Sequence, residues 1–307
     1  MTVASGKQLL VIAGPTAVGK TAVAIRAAVA LQTVVISADS RQFYRETNIG
    51  TAKPTPEELQ TVAHYLVNSH SIFDTYTVGD FEREALALQN KLYCNYDNIV
   101  LAGGSGLYIK ALCEGLDNFP PIADSVRHNI RASYAEAGIE YLRQTLQTLD
   151  PTCYERIDRN NPQRLLRALE VCIGTGKPYS SFLAKQTVQR PFQIRKVVLY
   201  LPTELLYDRI NRRVDAMIAE GLEAEARQLY PYRHLNALQT VGYQELFDHF
   251  EGKHSLATAV ELIKRNTRRY AKRQLTWFRH QSDGWEWLYA DELNIAHFIE
   301  QLSISST

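Results

Sequence analysis

Residues Gly14–Thr21 read "GPTAVGKT", which matches in full the phosphate-loop pattern of Gly, any four residues and Gly-Lys-Thr. The apolar stretch "QLLVIA" precedes these residues and the alanine-rich "AVAIRAAVALQ" follows them, so the pattern predicts a turn from a strand into a helix. At such a turn, Gly14 and Gly19 let backbone N–H groups face an anion, and the helix dipole adds positive potential. We therefore expect the loop to hold a pyrophosphate group, either of ATP or of another diphosphate.

Two side chains of this loop carry chemistry of their own. Lys20 is placed to reach across phosphates as a point charge, and the Thr21 hydroxyl is placed to coordinate Mg²⁺. A glycine-rich turn that binds nothing is the alternative. It explains less well why the glycines, the lysine and the strand-to-helix context coincide.

The composition sets limits on the class of protein. With 307 residues, 45% hydrophobic and 22% charged, the chain has room for one α/β domain and an accessory domain. Because the net charge is only +1, any nucleic-acid surface must be a local feature. The four cysteines are widely spaced and predict reduced, mostly buried thiols. The leading "MTVASGKQ" is short and polar, and no apolar run approaches the roughly 18 residues of a membrane span, so we expect a cytoplasmic protein.

The first part of the chain alternates strand and helix patterns, which predicts a parallel sheet. A second strand, "TVVISADS", is expected to end at Asp39, and a third, "NIVLAGGSG", at Gly103. Between them, Thr55 begins a capping-box pattern. Ligands of open α/β sheets bind outside the carboxyl ends of the strands, so the phosphate loop, Asp39 and Ser105 should gather at one rim.

A change of pattern marks an inserted subdomain. Residues 125–189 read as helices without a strand signal, and "IRKVVLYLP" from Ile194 then restores a strand. We predict a catalytic core with a P-loop NTPase-like parallel sheet at 1–118 and 192–307, and an all-helical insertion at 119–191. The last long helix of the insertion is expected to be capped by Asn161, with Pro162 in its first turn, and to end at Gly174.

Two groups of basic residues have both a functional and a structural interpretation. A helix at "TELLYDRINRRVDAMIAEG" sets Arg209 and Arg213 one turn apart, a spacing that suits phosphate, although solvated surface charge explains it too. The stretch "KRNTRRYAKRQLTWFRH" interleaves basic residues with Tyr270, Trp277 and Phe278. That pattern suggests nucleic acid, and the charged face of an amphipathic helix is the commoner alternative.

The positions of acidic residues distinguish ATP or GTP hydrolysis from transfer to an acceptor substrate. An ATPase or GTPase normally ends a further strand with a carboxylate that holds Mg²⁺, yet the third strand here ends in "LAGGSG". Asp39, after the second strand, is the available acid, and its position suits a general base that takes a proton from an acceptor. A small-molecule kinase could use Asp39 in the same way, and capping of the next turn is the structural alternative.

Several motifs together extend this interpretation to a family. In chain order they are "GPTAVGKT", "ISADSRQFYRETNIGTAKP", "GGSGLYIKAL", "NPQRLLRALEV", "TVGYQEL" and "AKRQLTWFR". This set resembles the tRNA dimethylallyltransferase family, from about Gln8 to Arg279 and into a final strand at "WEWLYA". "DSRQFY" followed by "IGTAKP" makes the resemblance specific, because many enzymes share the phosphate loop alone.

The resemblance implies a donor site for dimethylallyl diphosphate that requires Mg²⁺ and no ATP. Asp39 would accept a proton from the adenine N6 amine as that nitrogen attacks the allylic carbon, and Arg213 would bind the diphosphate. Ser105 stands where the family usually has Thr and keeps the hydroxyl. The catalytic set is then Asp39, Lys20, Ser105 and Arg213, with Thr21 at the metal. The donor site is formed by Gly14, Pro15, Thr16, Ala17, Val18, Gly19, Lys20 and Thr21.

The resemblance also implies an RNA surface. The helical insertion would bind the anticodon stem-loop of tRNA, and the adenine would leave its stack to enter a channel that the diphosphate enters from the other side. Gln244 departs from the family pattern, because many relatives carry Arg there. The implied contacts are Asp39, Ser40, Arg41, Gln42, Ser105, Arg127, Gln163, Arg164, Leu165, Arg167, Thr240, Val241, Gly242, Tyr243 and Gln244.

Three other functions remain as alternatives. An adenylate isopentenyltransferase shares the loop and the aspartate, but a free nucleotide would not need the arginine-rich insertion or "KRNTRRYAKRQ". A small-metabolite kinase would hydrolyse ATP or transfer from it without RNA. An RNA-binding module without catalysis gives no reason for a complete phosphate loop. We expect a monomer that acts on tRNA.

Overall fold

The segment "QLLVIA" forms the central strand of a parallel sheet. The computed structural model describes residues 6–183, 188–281, 284–291 and 297–298. Within these ranges the strands are β1 (Gln8–Ala13), β2 (Val35–Ser37), β3 (His64–Tyr65), β4 (Asn98–Gly103), β5 (Gln193–Tyr200) and β6 (Trp285–Tyr289). Their order across the sheet is β3-β2-β4-β1-β5-β6, with every neighbouring pair parallel. The predicted α/β class with a parallel sheet is confirmed.

The apolar run of β1 is continuous because the strand is buried on both faces. Leu10 and Ile12 belong to one hydrophobic cluster, whereas Leu9 and Val11 belong to a second cluster. Alternate residues of a strand point to opposite faces, so helices cover both sides of the sheet, as parallel sheets require.

Helices connect the strands and complete the core. In chain order they are α1 (Lys20–Ala30), α2 (Pro56–Thr61), α3 (Val78–Leu92), α4 (Gly106–Glu114), α5 (Asp124–Leu149), α6 (Pro151–Arg156), α7 (Pro162–Thr175), α8 (Thr203–Ala219), α9 (Leu222–Leu229), α10 (Tyr243–Phe250) and α11 (Leu256–Arg279). None of these helices combines the length and the low polarity that crossing a bilayer requires.

The chain divides into two compact units. One unit comprises Met1–Glu114 with Gln189–Thr307, and the other is Gly115–Val188. The boundaries predicted from the sequence, after residues 118 and 191, lie four and three residues later than these. The first unit contains the sheet and is called the sheet unit below. The second consists of helices over its described residues and is called the helical unit.

The helical unit is built around a core of its own. Leu142 and Leu146 of α5 pack with Leu165 and Leu169 of α7, and all four are fully buried. Helix α5 is interrupted at Gly138, whose φ is 72°. Asn161 caps α7 as predicted, accepting a hydrogen bond from the Arg164 N–H at 3.2 Å.

Two predicted ends were wrong, both for local reasons. Strand β2 ends at Ser37, because the Asp39 carboxylate accepts a hydrogen bond from the Arg41 N–H at 3.0 Å and turns the chain. Helix α7 does not end at Gly174. It continues to Thr175 and is closed by Gly176, which adopts φ of 69° in the left-handed region that favours glycine. The capping box at Thr55 is present, with Pro56 in the first turn and Glu58 as its partner.

Candidate active site

The predicted phosphate loop lies between β1 and α1. Gly14 follows the strand with φ of 150°, and a Cβ there would lie 2.7 Å from the Leu199 carbonyl oxygen. Gly19, with φ of 100°, precedes the first residue of α1. The loop therefore turns directly into a helix N-terminus, where backbone N–H groups lack partners within the helix.

The charge of Lys20 is set by its surroundings. Burial lowers the pKa of Lys20 from 10.5 to about 8, against the opposing effect of the Asp39 carboxylate and with a further lowering by the Arg213 guanidinium. The ammonium donates a hydrogen bond to the Pro15 carbonyl oxygen at 2.7 Å. Lys20 therefore folds back over the loop, where a phosphate would replace the carbonyl as its partner.

A small cavity of about 30 Å³ lies beside Lys20 and Thr21, and Asp39 and Gln42 form part of its wall. Within the described residues, no group of three His, Cys, Asp or Glu side chains is arranged to hold a metal ion. Mg²⁺ at phosphate sites usually keeps several waters and binds one or two protein oxygens besides the substrate phosphates. The Thr21 hydroxyl and the Asp39 carboxylate at this cavity fit such a site.

Asp39 is held by the backbone of its own turn. Its N–H donates to the Ser37 hydroxyl at 3.3 Å, and one carboxylate oxygen accepts from the Arg41 N–H. This carboxylate also lines a second, larger cavity. Asp39 thus forms a wall common to the phosphate-loop cavity and the larger one.

The larger cavity has a volume of about 440 Å³ and is called the main cavity below. Its lining combines the rim of the sheet with α8 and α11. The sequence-predicted residues around it are Thr16, Asp39, Ser40, Arg41, Ser105, Arg213, Thr240, Val241 and Gly242.

Helix α11 contributes a further wall of the main cavity. The sequence associated Tyr270 and Trp277 of this wall with nucleic acid, whereas Ile263, Thr267 and Gln274 were not predicted. Ile263, Thr267, Tyr270, Gln274 and Trp277 all line the main cavity and recur at alternating intervals of four and three residues, which is one face of a helix. Burial, with a contribution from the Asp39 carboxylate, raises the pKa of the Tyr270 hydroxyl to about 12, so the phenol stays neutral. The four-three spacing was the available signal, and the basic residues between these positions obscured it.

Gln274 connects the phosphate loop to the end of β4. Its side-chain oxygen accepts from the Thr16 N–H at 2.9 Å, and its side-chain amide donates to the Gly104 carbonyl at 2.9 Å. Gln274 is almost fully buried, so both hydrogen bonds are made away from bulk water.

The "GGSG" sequence, which begins at the last residue of β4, has a tightly packed backbone. At three of its glycines, a Cβ would lie 2.3 Å from a neighbouring atom. These pairs are Gly103 with the Ala38 carbonyl, Gly104 with the Gln274 amide nitrogen and Gly106 with the Trp277 ring. Ser105 between them accepts a hydrogen bond from the Ser40 N–H at 3.0 Å and donates to the Ser40 hydroxyl at 3.1 Å.

The two arginines predicted on one face of α8 have different surroundings. Arg213 is half-buried at the main cavity, and burial lowers the pKa of its guanidinium against the opposing charge of Asp39. Arg209 donates to the Asp291 carboxylate at 2.5 Å. The structure thus brings Arg213 to the candidate site and gives Arg209 an ion pair.

Some residues predicted to contact RNA have their side chains engaged inside the sheet unit. Arg41 donates to the Asn236 and Ala237 carbonyls, each at 3.1 Å. Tyr243 is fully buried, so its side chain is not available to RNA. Gln244 is exposed and donates to Gln239 at 2.7 Å.

The predicted contacts of the helical unit also differ in availability. Gln163 and Arg164 are exposed and line a cavity of about 780 Å³ within this unit. Arg127 and Arg167 lie 3.9 and 3.5 Å from the buried Glu170 carboxylate. Leu165 is fully buried, and its side chain packs in the core of the unit.

Fold and site together define an α/β protein with a parallel sheet, in which the glycine-rich loop between β1 and α1 and the aspartate that follows β2 share one site. The chain belongs to the IPP transferase family, whose sequence profile matches residues 42–281. It is 50% identical over 294 residues to the tRNA dimethylallyltransferase of Christiangramia forsetii, covering 95% of this chain and 97% of that protein. With the enzyme of the same name from Flavobacterium johnsoniae it shares 48% identity over 300 residues, covering 95% and 97%.

Solved structures agree with this assignment. The full-length tRNA isopentenylpyrophosphate transferase of Bacillus halodurans superposes with a TM-score of 0.73 at 35% identity, covering 98% of this chain and 97% of that one. A eukaryotic dimethylallyltransferase acting on tRNA gives a TM-score of 0.78 at 25% identity, covering 98% of this chain and 77% of that one.

Proposed function

We propose that this enzyme transfers the dimethylallyl group of dimethylallyl diphosphate to the N6 amine of an adenosine beside the anticodon of tRNA, and releases pyrophosphate. The observation that carries the proposal is the position of Asp39, which lines both the phosphate-loop cavity and the main cavity. A base at that position can serve an acceptor in the main cavity while the donor's diphosphate occupies the loop.

The donor end of the site is cationic. Lys20 and Arg213 would bind the diphosphate and stabilise the negative charge that develops on the leaving pyrophosphate. Thr21 would hold Mg²⁺ together with diphosphate oxygens, and the ion would neutralise further charge there. Both cations are partly removed from water, where their interaction with an anion is stronger than at an exposed surface.

The transfer exchanges one bond for another. The N6 nitrogen forms a bond to the allylic carbon, and the bond from that carbon to the diphosphate oxygen breaks with its electron pair. The proton of the N6 amine goes to the Asp39 carboxylate. An exocyclic adenine amine is a poor nucleophile, so removing this proton as the new bond forms lowers the barrier.

The rest of the main cavity suits a base that has left its stack. Tyr270 and Trp277 offer aromatic surfaces, and Ser105 offers a hydroxyl at the rim. Stacking on aromatic side chains and hydrogen bonding to base edges are the usual means of holding a flipped base.

Exposed basic residues indicate tRNA rather than a free adenine nucleotide as the substrate. Arg265, Arg269 and Lys272 are exposed on α11, and Arg164 is exposed on α7. Phosphate contacts of this kind supply much of the affinity for RNA and would be superfluous for AMP. We further propose that the enzyme works as a monomer in the cytoplasm, where its tRNA substrate is found.

The test is to incubate the protein with unmodified tRNA, Mg²⁺ and dimethylallyl diphosphate carrying a label in the allyl group. We expect label in the tRNA and one pyrophosphate released per transfer. Label in added AMP instead of tRNA would support the adenylate enzyme. ATP hydrolysis or phosphate transfer without RNA would support the kinase.

A further inference from the structure

Glu225 of α9 holds a turn in the wall of the main cavity. One of its carboxylate oxygens accepts from the N–H groups of Asn48 and Ile49 at 3.0 and 2.9 Å. The other accepts from the Gly50 N–H at 3.0 Å and from the Tyr243 hydroxyl at 2.6 Å. A single half-buried carboxylate thus receives four hydrogen bonds, three of them from consecutive backbone groups.

At position 50 this turn has room only for glycine. A Cβ on Gly50 would lie 2.6 Å from the Tyr243 ring and hydroxyl. Tyr243 packs from behind while Glu225 anchors the N–H groups, so the turn is fixed by two elements far from it in sequence. Gly50, Thr51 and Ala52 then face the main cavity.

A continuous set of hydrogen bonds joins this turn to Asp39. The side-chain amide of Gln42 donates to the Ala52 carbonyl at 3.1 Å, and its side-chain oxygen accepts from the Ser37 hydroxyl at 3.2 Å. The same Ser37 hydroxyl accepts from the Asp39 N–H at 3.3 Å. Gln42 therefore links the anchored turn to the backbone that carries the base.

We propose that Glu225 is a positioning residue for Asp39, acting through the turn at Asn48–Ala52 and through Gln42. This role rests on the proposed function, in which Asp39 takes the N6 proton. Glu225 does not line the main cavity among the residues described there, so it acts at a distance from the reacting atoms. It keeps the carboxylate of Asp39 within reach of the acceptor.

Replacing Glu225 with Gln reverses part of this hydrogen bonding. The amide presents an NH₂ group where the carboxylate accepted from backbone donors, so one or two N–H groups face another donor and the turn must move. A base displaced by about 1 Å can lose on the order of 10²-fold in rate. We expect Glu225→Gln to lower the single-turnover rate about 10- to 100-fold while the Kd values for tRNA and inorganic pyrophosphate change less than about threefold.

The decisive measurement repeats the substitution in an Asp39→Asn background. If Glu225 acts through Asp39, the double variant should react within about twofold of Asp39→Asn alone, because no base is left to position. Glu223→Gln is the matched control, since Glu223 lies on the same helix and pairs with Arg227 at 2.9 Å. It should keep the wild-type rate.

Three results would overturn the proposal. They are a wild-type rate for Glu225→Gln, a full further loss in the double variant, and parallel losses of rate and of tRNA affinity. If Glu225→Gln does not fold, Tyr243→Phe takes its place, because it removes only one of the four hydrogen bonds. Its effect on the rate is then compared in the wild-type enzyme and in Asp39→Asn. An Asp39→Asn variant that keeps the wild-type rate would instead refute the base of the proposed function, and with it this role.

Discussion

Gln274 and Thr16 are joined by a hydrogen bond of 2.9 Å, although 258 residues separate them in the chain. The same side chain donates to the Gly104 carbonyl, so it holds the phosphate loop against the end of β4. We predict that Gln274→Leu leaves both backbone groups without partners and lowers the free energy of unfolding by about 1–3 kcal/mol for each group.

Urea unfolding measures this loss, and titration with pyrophosphate should show weaker binding, because the loop is no longer fixed. Gln60→Leu, an exposed position in α2, is the control and should change stability by no more than about 0.5 kcal/mol. If Gln274→Leu leaves stability and pyrophosphate affinity unchanged, the two hydrogen bonds of Gln274 contribute nothing measurable to either.

Asp39→Asn tests the general base directly. Asparagine keeps the size and one oxygen acceptor but cannot take the N6 proton, so single-turnover transfer should fall by about 10²–10⁴-fold. Binding of tRNA and of pyrophosphate, measured separately, should change little. A rate within about threefold of wild type would leave Asp39 with the turn-forming role that its bond to Arg41 already shows.

Under the proposed function, Lys20 should make donor binding dependent on pH. Because burial lowers its pKa to about 8, the ammonium of the free enzyme loses its proton as the pH rises through that value. Pyrophosphate affinity should therefore fall above about pH 8, as seen by calorimetry at constant ionic strength. Lys20→Arg keeps its charge over this range and should lack the decline, whereas a decline that persists in Lys20→Arg would point to another group.

The same shift has a consequence for stability. In the unfolded chain Lys20 stays protonated up to its ordinary pKa of 10.5, so between about pH 8 and pH 10.5 the unfolded state binds more protons than the folded state. Lys20 should therefore make the free energy of unfolding rise with pH across this window. Lys20→Met, which cannot titrate, should remove that contribution when urea unfolding curves at pH 7.5 and 10 are compared.

Gly106→Ala tests the packing of the "GGSG" sequence. The new Cβ would lie 2.3 Å from the Trp277 ring, so the ring or the start of α4 must shift, and overpacking of this kind costs about 1–3 kcal/mol. Gly79→Ala in the first turn of α3 is the matched control, because its Cβ would meet its nearest neighbour at 3.7 Å. Equal thermal stability of the two variants would contradict the close contact.

Arg164 is the clearest position for testing an RNA phosphate contact in the helical unit. It is exposed, whereas Arg167 lies near Glu170 and stacks on Phe119, so its removal would also alter the fold. Arg164→Ala should reduce the slope of log K against log salt for tRNA by about 0.7 to 0.9. Lys91→Ala, in the last turn of α3, is the control, and an unchanged slope for Arg164→Ala would place this side chain off the RNA.

The parts of the fold that could be predicted from sequence are those that depend on local patterns. The turn from β1 into α1, the strand segments and the cap at Asn161 each follow from residues within one turn or strand. Asp39 and Ser105 were expected at one rim because strand ends in an open sheet converge, and both do line the main cavity.

Residues that act across long sequence distances were missed. Glu225 and Gln274 are ordinary polar residues of helices, and only the folded chain brings them to the backbone of Gly50 and of Thr16. Tyr243 was expected at the RNA because of its motif, and nothing in the sequence indicated that its buried side chain packs against Gly50. The spacing of Gln274 in α11 marks the helix face it lies on, but the backbone groups that Gln274 and Glu225 contact can be identified only from the folded chain.

The hydrogen bond between Thr16 and Gln274 can form only late in the synthesis of the chain. The ribosome makes β1 and the phosphate loop first, but β5, which pairs with β1, comes after the helical unit, and Gln274 comes later still. In a nascent chain, the loop between β1 and α1 therefore lacks its contact with Gln274 until α11 has been made. The helical unit, by contrast, is a contiguous stretch with its own core, so it can complete its fold while the unit that surrounds it in sequence is still being assembled.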